Sequence, residues 1–178
     1  HRVDRRQRQM CIRDRSIRVK KNYLVFNGQK FKCAIGKSGF TNEKLEGDGC
    51  TPTGSYNLKK IYFRSDKIKL LETKIKTFAI HKSDGWCDDP DHMKYNQLVQ
   101  FPFQFSAEKL FRNDDLYNII GILNYNTDPI IQGKGSAIFV HVAKENYEPT
   151  EGCIALKQEE LIFILNSIET STEIILKD

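Results

Sequence analysis

Asn27-Gly28 lies between IRVKKNYLVF (residues 17–26) and KFKCAI (30–35), two runs rich in β-branched and aromatic residues. Both central positions of a two-residue hairpin turn need positive φ, which Asn tolerates and Gly adopts freely. The dipeptide therefore predicts a β-hairpin. Phe31, Cys33 and Ile35 alternate with Lys30, Lys32 and Ala34, so one face of the second strand is expected to be buried.

The rest of the chain keeps this β-rich punctuation. KSGFTNEKLEGDG (37–49) reads as a Gly-rich loop, and TPTGSYNLKKIYF (51–63) as a turn leading into a strand. IKTFAIH (75–81) predicts a short strand ending in the loop SDGWCDDPDH (83–92), and Ser106 a cap for a brief helix through Arg112. LYNIIGILNY (116–125) and TEIILK (172–177) read as strands, and SAIFVHVA (136–143) as a central strand with one polar group, His141. Leu161, Ile164, Leu165 and Ile168 fall at i, i+3, i+4 and i+7, which predicts one longer helix over 157–168. Glu159 and Glu160 occupy its first turn, where the helix dipole favours negative charge. Six or seven strands and one helix make a mainly β, α+β domain, and 178 residues suit a single domain.

The formal charge of +5 is unevenly spread. Residues 1–15 carry six Arg against Asp4 and Asp14, while the remainder holds 22 Lys and Arg against 21 Asp and Glu. The tail is expected to be a disordered or non-native extension, and 16–178 the functional domain. The nearly neutral domain offers no basic face for nucleic acid. No apolar run is long enough to span a membrane, and no signal-peptide core is visible. Five Cys without a CxxC pair (Cys11, Cys33, Cys50, Cys87, Cys153) fit neither a disulfide framework nor a zinc template.

The chemistry concentrates in HVAKENYEPTEGC (141–153). A thiol is a weak nucleophile while protonated, and an adjacent imidazole can take its proton and stabilise the ion pair. His141 on a buried strand and Cys153 at a Gly-containing turn would supply that pair if the loop folds back. Gly152, lacking Cβ, lets a substrate carbonyl approach the N–H groups of Gly152 and Cys153. Asp84-Gly85-Trp86-Cys87-Asp88-Asp89-Pro90 reads in two ways. Either Trp86 is a pocket wall and the carboxylates hold a substrate ammonium, or the segment is an acidic turn with Trp86 plugging the core. His81, Cys87, Asp88, Asp89 and His92 follow no established ligand spacing, so no metal is expected.

SAIFVHVAKENYEPTEGCIAL, with CTPTGSYNL (50–58) upstream, resembles the catalytic domain of YkuD-type L,D-transpeptidases over about residues 16–178. The resemblance implies mixed β-sheets or a β-sandwich, with the longer helix after the catalytic Cys. It also implies acylation of Cys153 by a peptidoglycan stem peptide, His141 as base, and an oxyanion hole from the amides of Glu151, Gly152 and Cys153. No cofactor is implied. Trp86, Asp84, Tyr147 and Thr150 are the candidate substrate contacts, and the cell envelope is the implied location, with the cytoplasm as alternative. The commoner family motif, Ser-His-Gly-Cys, is here Thr150-Glu151-Gly152-Cys153, and Ala155 replaces an Arg or Asn. That departure leaves open an amine acceptor (transpeptidation), water (L,D-carboxypeptidase) or a non-catalytic cell-wall or protein-binding β domain.

Overall fold

A computed structural model describes residues 16–69 and 71–178; the expected basic tail, 1–15, lies outside the described residues. Among them are fifteen short strands and one helix. The first five-stranded sheet holds β1 (Ile17–Val19), β2 (Tyr23–Phe26), β3 (Gln29–Lys32), β6 (Gly54–Tyr56) and β15 (Ile174–Leu176), in the order β3-β2-β1-β15-β6. The hairpin forms as its turn chemistry dictates: Phe26 pairs with Gln29 across Asn27 (φ 50) and Gly28 (φ 74).

The second five-stranded sheet contains β7 (Leu58–Phe63), β8 (Thr77–Ala79), β12 (Ile119–Leu123), β13 (Phe139–Val142) and β14 (Ile154–Leu156). Its order is β14-β13-β12-β7-β8, which puts the 136–143 run at an interior position, as its apolar profile predicts. Strands β13 and β14 are parallel, with Val140 opposite Ile154 and His141 opposite Ala155. The connection between them is the loop that carries Glu148 to Gly152.

Helix α1 (Gln158–Ser167) follows β14 and buries Leu161, Ile164 and Leu165. These join Ile17, Leu24, Leu58, Val140, Val142, Ile154, Leu156 and Ile174 in one core between the two large sheets. Each such aliphatic side chain contributes roughly 1.5–3 kcal/mol on leaving water. A second core lies on the opposite face of the second sheet, formed by Tyr62, Trp86, Leu110, Tyr117, Ile120, Ile122 and Phe139.

Two expectations are corrected here. DGWC within the expected loop 83–92 is β9 (Asp84–Cys87), the central strand of a three-stranded sheet. The expected helix from Ser106 to Arg112 is instead β11 (Ala107–Lys109), paired with β9 opposite β10 (Leu98–Gln100). These strands are only three or four residues long, so pairing between distant segments overrides their turn-like composition. The remaining two strands, β4 (Phe40–Thr41) and β5 (Thr51–Pro52), form a parallel ladder. The count of six or seven strands was too low: breaks at 20–22, 53 and 57 divide the longer runs, and β4, β9, β10, β11 and β14 lie where no strand was expected.

Candidate active site

Alternation along β13 decides which side chains meet. Val140 and Val142 point into the first core, so Phe139 and His141 face the other way. Along β14, Ile154 and Leu156 likewise join the first core, which turns Cys153 and Ala155 to the face of Phe139 and His141. Cys153 and His141 thus share one face of neighbouring parallel strands, offset by one pleat repeat. Both line a groove of about 550 Å³ with Glu108, Arg112, Tyr117 and Ala137.

The imidazole is buried, at 6% exposure. Its Nδ1 lies 2.8 Å from the carbonyl of Val142, which can only accept, so Nδ1 carries the proton and Nε2 keeps its lone pair. The Tyr117 ring stands edge-on to it at 5.3 Å. Burial pushes His141 down to about 4, against the opposing pull of the Val142 and Leu116 carbonyls. His141 is therefore neutral at pH 7.

Cys153 is partly exposed, and its Sγ sits between a donor and an acceptor of the preceding segment. The Phe139 N–H donates to the sulfur at 3.4 Å, and the thiol donates to the Ala137 carbonyl at 3.1 Å. Burial first, and then the nearby Glu108 carboxylate, push the thiol up to about 12; Phe139 N–H and Lys44 pull the other way. The expected thiolate–imidazolium pair is therefore not the resting state. A low-dielectric wall penalises both charges, and the acceptor on the sulfur is a carbonyl. What rests here is a neutral thiol and a neutral imidazole on one groove wall, with no hydrogen bond between them: the thiol is engaged by the Ala137 carbonyl and the imidazole by that of Val142. The four described cysteines carry free thiols, and Cys33 is also pushed up to about 12, but it lies in the hydrophobic core.

The turn before Cys153 is held from behind. Thr51, fully buried, donates its hydroxyl to the Gly152 carbonyl at 2.9 Å and accepts the Gly36 N–H at 2.8 Å. Gly152 has φ +138, and a Cβ there would lie 2.7 Å from the Cys50 carbonyl, so no other residue fits. Thr150 closes the turn: its Oγ1 donates to the Cys153 carbonyl at 2.7 Å and accepts the Gly152 N–H at 3.1 Å. The Thr51-Pro52-Thr53-Gly54 element thus reaches the site through one hydroxyl. Thr51→Val keeps the shape but orphans a buried N–H and a buried carbonyl. It is expected to lower stability by about 2–3 kcal/mol, measured by urea unfolding.

Of the sequence-derived candidates, the groove contains Cys153, His141, Thr150 and Glu151 in its lining, with Gly152 in the turn beside it. Trp86 and Asp84 are not brought to it. Trp86 packs edge-on against Phe139 at 5.3 Å inside the second core and donates its indole N–H to Asn96. Asp84, buried, accepts the His81 N–H at 2.8 Å and a bond from Gln100. Between the two readings of that segment, the core plug is the one whose geometry is present. Tyr147 lies under the Lys32 ammonium, 4.6 Å from its ring centre, along a separate groove with Lys21, Lys37 and Ser38.

Sequence reasoning missed Tyr117, Glu108 and Arg112. Tyr117 donates to Glu108 at 2.6 Å, Arg112 stacks over the Tyr117 ring at 5.1 Å, and Arg112 pairs with Asp114 at 2.7 Å. Burial raises the Glu108 carboxyl above its ordinary value. No local motif marks these residues. Among the described residues, no group of three or more His, Cys, Asp and Glu side chains is arranged to hold a metal ion.

The low His141 value has a consequence for stability. An unfolded chain takes up this proton near pH 6.5, but the folded chain only near 4. The unfolded state therefore binds more protons in that window, and stability falls as pH drops through it. The expected loss between pH 7 and pH 4 from this group is about 3 kcal/mol. Urea unfolding across that range measures it, and His141→Gln is expected to flatten this part of the slope.

The family model described as the L,D-transpeptidase catalytic domain, YkuD, matches residues 3–176, nearly the whole chain. Among curated proteins, none matches the chain. No helix of the described residues is long and apolar enough to cross a membrane.

Proposed function

Because this chain belongs to the YkuD family of L,D-transpeptidase catalytic domains, we propose that Cys153 carries an acyl group between peptidoglycan stem peptides. One observation supports this most directly: Cys153 and His141 face the same groove from adjacent parallel strands. The unprotonated Nε2 of His141 takes the thiol proton as Sγ attacks the carbonyl of an L-centre residue. The bond to the terminal D-amino acid breaks, its amine takes the proton from His141, and a thioester remains. An amine acceptor then attacks, gives its proton to His141, and releases the sulfur, which regains a proton. The product is a cross-link or an exchanged D-amino acid.

Proton transfer and attack are coupled in this scheme, because neither ion is stable in the resting site. The developing oxyanion needs donors, and the backbone of the 151–153 turn is their proposed source. With the Gly152 N–H already engaged by Thr150 Oγ1, the amides of Glu151 and Cys153 carry most of that role. Thr150 acts through the turn, holding its shape. The location that goes with this proposal is the bacterial cell envelope, where cross-linked stem peptides occur; hydrolysis of recycled peptides would go with the cytoplasm.

The test is product analysis. Protein incubated with a stem tetrapeptide and a free D-amino acid is expected to yield exchanged peptide or dimers. Tripeptide with neither exchange nor dimers would identify water as the acceptor and make the protein an L,D-carboxypeptidase.

A further inference from the structure

Asn96 has no role in the chemistry above, yet it is buried, at 5% exposure, with left-handed backbone at φ 56. Every polar atom of its carboxamide is engaged. Oδ1 accepts the Trp86 indole N–H at 2.9 Å and the Ala137 N–H at 3.0 Å. Nδ2 donates to the Asn126 carbonyl at 2.6 Å and reaches that of Tyr125 at 3.4 Å. Its own N–H donates to the Cys87 carbonyl at 2.8 Å, tying it to β9.

The partner that matters is Ala137. A non-glycine residue at φ 51 is held against its own preference, so something must fix it. The Asn96 bond supplies that restraint on the Ala137 amide, and the Ala137 carbonyl is the acceptor of the Cys153 thiol at 3.1 Å. We infer that Asn96 is a positioning residue for the nucleophile: through the left-handed Ala137 it aims the carbonyl that stores Cys153 as a thiol in one rotamer. Trp86 donates to the same Oδ1, but the Nδ2 bonds to the Asn126 and Tyr125 carbonyls already fix the amide orientation, so the indole N–H is not required for it. The inference rests on Cys153 being the nucleophile of the proposed reaction.

Asn96→Gly isolates the effect, since Gly keeps the left-handed backbone and deletes the carboxamide. Asn96→Asp keeps an acceptor for Ala137 and, as the neutral carboxylic acid that burial and the facing carbonyls favour, a donor to Asn126. Two readouts separate positioning from general support. One is the pH profile of Cys153 alkylation by iodoacetamide, followed on the Cys153 peptide by mass spectrometry. The other is kcat and KM for D-amino acid release from a stem tetrapeptide. Without the aimed carbonyl the thiolate is less disfavoured, so Asn96→Gly is expected to alkylate about three- to tenfold faster at pH 8. Its kcat is expected to fall about 10- to 100-fold with KM nearly constant, because the sulfur loses its alignment. Asn96→Asp and Trp86→Phe are expected to stay within a few-fold of the wild type on both readouts.

Opposite movement of alkylation and turnover at Cys153, with the buried Cys33 and Cys87 still unreactive, is a signature that loosened packing does not give. An Asn96→Gly profile superimposed on the wild type would overturn the inference. So would parallel losses in both readouts, or a Trp86→Phe variant that reproduces the Gly phenotype. If Asn96→Gly fails to fold, an Asn96→Asp variant with altered alkylation and turnover would likewise overturn it. Wild-type protein that releases no D-amino acid would instead count against the acyl-transfer proposal, while the alkylation profile would still test Asn96.

Discussion

Cys153→Ala is expected to remove D-amino acid release down to background, a loss of at least about 10⁴-fold, while the protein stays folded. The side chain loses one sulfur, and its two partners are backbone groups, the Phe139 N–H and the Ala137 carbonyl. The structural cost is about 1–2 kcal/mol, well inside what a domain of this size tolerates. Ser at the same place keeps a proton donor to Ala137 but is a far poorer nucleophile, and is expected to be nearly as inactive. Rates from chromatography of released D-amino acid, set beside unfolding curves, separate lost chemistry from a lost fold. Equal loss on replacing Cys50, the other partly exposed thiol among the described residues, would point to the wrong sulfur.

His141→Gln carries the second largest expected effect, a fall in kcat/KM of about 10²–10⁴-fold. Gln can still place a polar atom toward the Val142 carbonyl, so the strand keeps its hydrogen bond while the base is gone. The wild-type pH profile provides an independent signature. The imidazole is competent only while neutral, and burial pushes it down to about 4. Activity is therefore expected to persist from pH 7 to about pH 5 and to fail as His141 protonates near 4. A free histidine would impose that limit near 6.5. On the alkaline side, the thiol pushed up to about 12 means that raising pH from 7 to 9 adds little thiolate. A steep rise over that interval would contradict the coupled proton transfer.

How far the sequence foretold this arrangement depends on the range of the interactions involved. Asn27-Gly28 folds by local turn chemistry, and its hairpin was legible from two residues. The 157–168 helix and the β13 strand were legible because burial of one face writes a period into the sequence. DGWC was read as a loop because Asp and Gly favour turns; only the pairing of Trp86 with Leu98 and Glu108 makes it a strand. The same distinction divides the site. His141 on β13 and Cys153 just before β14 flank one loop and could be named together. Glu108, Tyr117 and Asn96 are carried in by the three-stranded sheet and by the segment before β12, which have no recognisable motif. Thr51 was legible as part of a turn, but its hydroxyl bond to Gly152, a hundred residues on, was not.

The protonation of the pair also lay beyond the sequence. Residue types alone suggested a low thiol value and an ion pair. Burial on the face of Phe139, with Glu108 nearby, reverses both shifts.

Intact-protein mass spectrometry after mixing with a stem tetrapeptide tests the acyl-transfer chemistry most directly. The expected result is a mass increase equal to the peptide less its terminal D-amino acid, mapped to Cys153 and missing from Cys153→Ala. Folded wild-type protein that gains no mass and releases no D-amino acid, or an adduct that persists in Cys153→Ala, would contradict it.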